Sequence, residues 1–389
     1  MHVKKIRLLT PGPTPLYPPA VQAMTGSDIH HRTEGFRSIY RRVLKNLAHF
    51  MGTDNDIVLF SASGTGAMEA AVSNLLSEGD KVLVVSAGKF GERWAALTRA
   101  FGLDVTVTEV PYGDAVSPEK VAEALDVEPN TQGVFVQATE SSTGVSHDVR
   151  AMAEVVRKTQ AIFVVDAITG LGTSHIDIDG WGLDVVVGGS QKALMIPPGL
   201  SFASISEKAW ERTRSGQRGS FYFDFRKYKM AGEVGESPFT PAISLLLGLD
   251  STLEYIREVG PEKLIANAQF LACATRKAAE ALSVQPFAKA TPAGALTSIC
   301  TPAGIDSGEI VKQFDDRFGS IIDNGQGTMK GKIFRIAHLG YFDFSDLFGT
   351  MAGLEIILKS LGHPIELGVG VQAVQQTYIE ACSDLKISD

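Results

Sequence analysis

The stretch Asp184–Leu200, DVVVGGSQKALMIPPGL, decides how this chain is read. Val185, Val186 and Val187 form a β-branched run too short for a helix, so the stretch opens as a short buried strand. Gly188 and Gly189 break the strand. Ser190, Gln191 and Lys192 follow before Pro197, Pro198 and Gly199 turn the chain away. A lysine flanked by small, polar and apolar residues at the end of a buried strand is poorly placed for solvation. It is either a partly desolvated, reactive amine of the type Schiff-base chemistry needs, or an ordinary loop lysine in water.

Upstream, Ile162–Gly172 reads IFVVDAITGLG, a buried strand ending at Asp166. A carboxylate at the end of an apolar strand is unfavourable unless it meets a cation or a donor. Alone, Asp166 is equally suited to a metal or to capping a turn. Taken with Lys192 it points to pyridoxal 5'-phosphate (PLP), which needs an amine for its aldehyde and a carboxylate for its protonated ring nitrogen.

Four segments, GSQKALMIPPG, VVDAITGLG, the early LLTPGPTPL and the loop SASGTGAMEAA, resemble the class V aminotransferases of PLP fold type I. The nearest subgroup is the alanine/serine–glyoxylate aminotransferases, with prokaryotic relatives assigned to aspartate. The likeness spans nearly the whole chain, in order. It implies an α/β fold: a large domain over 21–257 with a mostly parallel seven-stranded sheet, an arm over 1–20, and a smaller α+β domain over 258–389. The resemblance makes Lys192 and Asp166 catalytic, and it maps cofactor contacts to Ser63, Gly64, Thr65, Phe90, Ser141, Ile168 and Gln191. Gly12 and Arg335 are implied for the substrate. Thr240 matches a residue that reaches the phosphate of a neighbouring subunit, which implies a homodimer with shared sites. Three positions earlier, where relatives carry tyrosine, this chain has Ser237.

The residues support that map independently. Ile57–Phe60 reads as a short strand, and Ala67, Ala71 and Leu75 give a helical face just after it. Gly64 and Gly66 therefore lie between a strand end and a helix start, where backbone N–H groups and the helix dipole favour phosphate; Ser63 and Thr65 add hydroxyls. Lys81–Val85, Val105–Val107, Gly133–Gln137, Ile162–Val165 and Val185–Val187 continue the short apolar strands, separated by helical stretches such as 148–160. Such alternation predicts a mostly parallel sheet covered on both faces. Ligands in such sheets collect at the carboxyl ends of the strands. Ser63, Phe90, Ser141, Asp166 and Lys192 all sit at such ends. Phe90 is suited to stack on a pyridine ring or to pack in the core, and Ser141 to sit beside that ring or to cap a turn. Arg335, in KIFRIAHLG, offers a planar fork for an α-carboxylate.

Five prolines in LLTPGPTPLYPP predict an extended arm that is neither helix nor central strand. A helix is expected from about Thr33 to Phe50, a long helix from about Tyr255, another near Ser307–Phe318, and two more over 343–361 and 366–385. Arg32 lies in the polar run HHRTEG, either facing the site or pairing in solvent, for example with Glu34.

The bulk properties narrow the partners. With 389 residues, 44% hydrophobic and 21% charged, the chain has room for two domains of ordinary globular composition. Its net charge of −8 and lack of a clustered basic face argue against nucleic acid. No run reaches the ~18–20 apolar residues of a membrane span, and MHVKKIRLLTPGP shows no secretory pattern. Cys273, Cys300 and Cys382 are far apart, which gives neither a zinc motif nor a disulfide framework and suits a reducing cytoplasm. The expected activity is transfer of an amino group from alanine or serine to glyoxylate or another small 2-oxo acid. The alternatives are an aspartate aminotransferase and a PLP lyase such as a cysteine desulfurase, which needs a nucleophilic cysteine on a mobile loop. A PLP-fold scaffold without turnover, such as a hydrogenase-associated subunit, is a third reading, opposed by the intact Lys192, Asp166 and Arg335.

Overall fold

The computed structural model describes residues 4–26, 28–215 and 220–384. Leu385 and the Cys382 side chain, which figure in the expectations above, lie outside the described residues.

Seven strands build the main sheet: β1 (Asp56–Phe60), β2 (Lys81–Ser86), β3 (Asp104–Glu109), β4 (Gly133–Gln137), β5 (Ile162–Asp166), β6 (Val185–Gly189) and β7 (Ser201–Ile205). Their order across the sheet is β1-β7-β6-β5-β4-β2-β3. All run parallel except β7, which is antiparallel to both neighbours. Successive residues of a strand face opposite sides of a sheet. Here Val134, Val136, Phe163, Val165 and Val186 enter one core, while Phe135, Ile162, Val164, Val185 and Val187 enter the other. A sheet buried on both faces needs these unbroken apolar runs, which is why each strand reads as a solid hydrophobic block.

The carboxyl-terminal part has its own antiparallel sheet of β8 (Leu296–Cys300), β9 (Asp323–Asn324) and β10 (Ile333–Ala337), with β10 in the centre. Helices Pro261–Ala281, Phe344–Ser360 and Val369–Asp384 contribute to a separate core that includes Leu271, Phe334, Leu354 and Val374.

Three expectations are corrected. Pro18 and Pro19 do not prolong the arm; they open a helix, Pro18–Met24, because the first helical turn has no use for the N–H that proline lacks. The long helix expected from Tyr255 is two helices, Ile243–Val259 and Pro261–Ala281. Gly260, at φ +96°, and the Pro261 ring end one and start the other. The helix expected over 148–160 covers Val149–Val156 only, capped by the Asp148 carboxylate on the Ala151 N–H.

The arm is anchored on its own chain. Arg7–Leu8 pairs in parallel with Ser320–Ile321, and Leu9 O accepts from the Ala337 N–H at 2.9 Å. The Thr14 hydroxyl then donates to Lys192 O at 2.9 Å, and the Thr14 N–H to Gln191 O at 3.2 Å. The arm thus ties β10, which carries Arg335, to the loop that carries Lys192.

Candidate active site

Lys192 lies in the turn after β6, only 8% exposed. Burial lowers the pKa of its ammonium to about 8, because the interior penalises the charged form more than Asp166 can restore it. Its Nζ donates to Pro11 O. Gly12, next to Pro11, has φ +146°, and a Cβ there would stand 2.5 Å from Lys192 Nζ. No larger residue fits without displacing the amine.

Asp166 ends β5, in direct register with Gln137 of β4 and Val187 of β6. Burial pushes its carboxyl up; the Ile168 N–H, the Trp94 indole and the Lys192 ammonium oppose that. Oδ1 accepts from the Ile168 N–H and Oδ2 from Trp94 Nε1, both at 3.1 Å. A cationic ring nitrogen would complete this set.

The helix Gly64–Leu75 starts directly after β1, with Ser63 as its N-cap. The Ser63 side chain makes no capping hydrogen bond, so its hydroxyl and the first-turn N–H groups remain for an anion. A Cβ on Gly64 would meet Ile168 Cδ1 at 2.5 Å, so glycine here lets the helix start close against Ile168.

These elements enclose one cavity of about 210 Å³. Gly12, Ser63, Gly64, Thr65, Phe90, Ser141, Asp166, Ile168, Gln191 and Lys192 all line it. Thr139 Oγ1 and Gln191 Oε1 are buried without partners there, as polar atoms awaiting a polar ligand are. An amine, an opposed carboxylate, an anion cup and an aromatic face are the donor set PLP requires, so the residues present fit the cofactor. A larger hollow of about 380 Å³ between Tyr255, Lys263 and Tyr341 shares none of these strand-end groups.

Two of the expected residues lie outside this cavity lining. Thr240 is exposed. Arg335, only 2% exposed, instead donates from Nη1 to Ser141 O at 2.7 Å, joining the cavity wall to the small sheet. Arg32 is 58% exposed and pairs with Glu236 at 2.8 Å, not with Glu34, which is taken by Arg37 and Arg41.

Sequence reasoning missed three residues. Trp94 is fully buried against Phe135 and holds Asp166. Arg93 lines the cavity with its guanidinium over the Phe90 ring and Nη1 3.5 Å from Thr65 Oγ1. Glu140, fully buried, accepts from the Phe90 and Gly91 N–H groups at 3.0 Å and from the Ser142 hydroxyl at 2.6 Å. It thereby fixes the start of helix Lys89–Ala100, which presents Phe90, Arg93 and Trp94. The spacing Phe90, Arg93, Trp94 (i, i+3, i+4) was the available signal, since such residues share one helix face.

The profile of the family Aminotransferase class-V matches residues 17–337. The chain belongs to this family and is a PLP-dependent transaminase. Among its relatives it is 38% identical to the soluble hydrogenase 42 kDa subunit of Anabaena cylindrica, over 96% of this chain and 99% of that protein. It is 34% identical to a serine–glyoxylate aminotransferase of Methylorubrum extorquens, over 94% of each. The crystal structure of pyridoxamine-pyruvate aminotransferase from Mesorhizobium loti superposes with a TM-score of 0.92 at 25% identity, covering 97% of this chain and 98% of that one.

The lyase alternative is not favoured. Cys300 lies at the end of β8 with its thiol pushed up by burial, and neither it nor Cys273 lines the cavity. Among the described residues no helix is long and apolar enough to cross a membrane, and no cluster suits a metal ion.

Proposed function

We propose that this transaminase takes its amino group from a small neutral amino acid, alanine or serine, and passes it to glyoxylate or a similarly small 2-oxo acid. The observation that carries this reading is Arg32. It is drawn out to Glu236, so the guanidinium best suited by sequence to a side-chain carboxylate is engaged outside the cavity. The name of the Methylorubrum relative, a serine–glyoxylate enzyme, points the same way.

PLP, when bound, supplies an electron sink for carbanion charge at the substrate Cα. Asp166 holds the proton on the ring nitrogen, and Trp94 and Ile168 aim its carboxylate. Lys192 Nζ would take the Cα proton and return it on the other side of the transfer. Ser63, Gly64 and Thr65 bind the phosphate, with charge from Arg93. Phe90 would cover the ring and exclude water, and Ser141, Ile168 and Gln191 would hold its edges. Arg335 docks the α-carboxylate, and Gly12 leaves room beside Lys192. The reading includes a homodimer in which the exposed Thr240, beside the aromatic pair Tyr222 and Phe239, would reach the partner's phosphate. The domain limits adopted are 1–20, 21–257 and 258–389, and the compartment is the cytoplasm.

The test is a half-reaction screen: the purified protein's absorbance above ~400 nm is followed as each amino acid is added. Alanine and serine should bleach it faster than aspartate. Preference for aspartate would overturn the donor assignment.

A further inference from the structure

Arg335 does not stand alone. Its partner in the β9–β10 register is Asp323, so the two side chains share one face of the small sheet. Arg335 Nη2 donates to Asp323 Oδ2 at 3.1 Å. Nε donates to Asn324 O at 3.1 Å, and Nη1 to Ser141 O. A guanidinium has five N–H donors, so among the described residues one on each Nη is left, which is enough for one carboxylate bound end-on.

The two members of the pair are buried unequally. The Arg335 side chain is 3% exposed and that of Asp323 34%. The carboxylate is therefore the more exposed member of the pair. Its charge is also felt at Lys192, where it favours the ammonium as Arg335 opposes it. A fixed negative charge thus sits beside the docking guanidinium and within electrostatic reach of the reacting amine.

We propose that Asp323 is a specificity-determining residue that rejects substrates with a second carboxylate and so confines the site to monocarboxylic amino and oxo acids. This rests on the reading that Arg335 docks the substrate α-carboxylate. With Asp323 in place, the guanidinium already carries one carboxylate, and the substrate brings the second. A third, on the side chain of aspartate or glutamate, meets like charge beside that pair. A methyl or hydroxymethyl side chain meets no such repulsion.

The experiment uses the holoenzyme and two unreactive analogues, propionate for alanine and succinate for aspartate, with binding measured by calorimetry. Wild type should favour propionate. Asp323→Asn, which keeps the shape and removes the charge, should shift the succinate-to-propionate affinity ratio toward succinate by about tenfold or more. Asp323→Glu, which keeps the charge, should retain the wild-type preference. An unchanged ratio in Asp323→Asn overturns the inference. Arg335→Lys separates this from the underlying reading: weaker binding of both analogues supports the docking role. Unaltered binding of both overturns that role and the inference with it.

Discussion

The indole N–H of Trp94 donates to Asp166 Oδ2 at 3.1 Å, so a residue on helix Lys89–Ala100 aims a carboxylate that ends β5. With Ile168 N–H on the other oxygen, the carboxylate cannot rotate freely. Trp94→Phe keeps an aromatic ring against Phe135 and removes the donor together with the pyrrole half of the indole. A hydrogen bond to a charged group is worth about 1.5–3 kcal/mol, so turnover should fall by about tenfold or more with little change in substrate KM. Unchanged kcat would reduce Trp94 to packing.

Asp166→Asn removes the charge proposed to keep the ring nitrogen protonated while preserving shape. Preorganised charge of this kind contributes about 3–4 kcal/mol in comparable sites, so kcat should drop by two orders of magnitude or more, at roughly that scale. Cofactor occupancy, read by absorbance and dialysis, should fall much less. Equal losses in both would make Asp166 a structural residue.

The lowered pKa of Lys192 has a signed consequence for the cofactor-free protein. Its ordinary value is 10.5 and its folded value about 8, so between those pH values the unfolded chain binds more protons than the folded one. The contribution of this group to stability therefore rises with pH across that window and is least favourable below pH 8. The denaturation free energy of wild type minus that of Lys192→Met should increase from pH 8 to 10.5, by on the order of 3 kcal/mol. A flat difference would mean that Lys192 is solvated.

The architecture was readable because a doubly covered sheet leaves solid apolar runs, and Gly133–Gln137 was placed to the residue. The strand-end rule also brought Ser63, Phe90, Asp166 and Lys192 to one cavity. What escaped were partners defined by tertiary approach. Trp94 reads as plain helix core, and Glu140 as a polar loop residue, until folding brings a neighbouring strand end beside the helix start. Arg32 shows the converse: its partner, Glu236, is 204 residues away, and no local pattern announces a pair at that separation.

The central claim is that Lys192 is the base of the transfer, and the most direct test is amino-group transfer from alanine to glyoxylate by Lys192→Ala. Positioned acid–base groups contribute roughly 10²–10⁴-fold. The account predicts a folded protein whose transfer rate is lower by at least that factor. A rate near that of the wild type would contradict it.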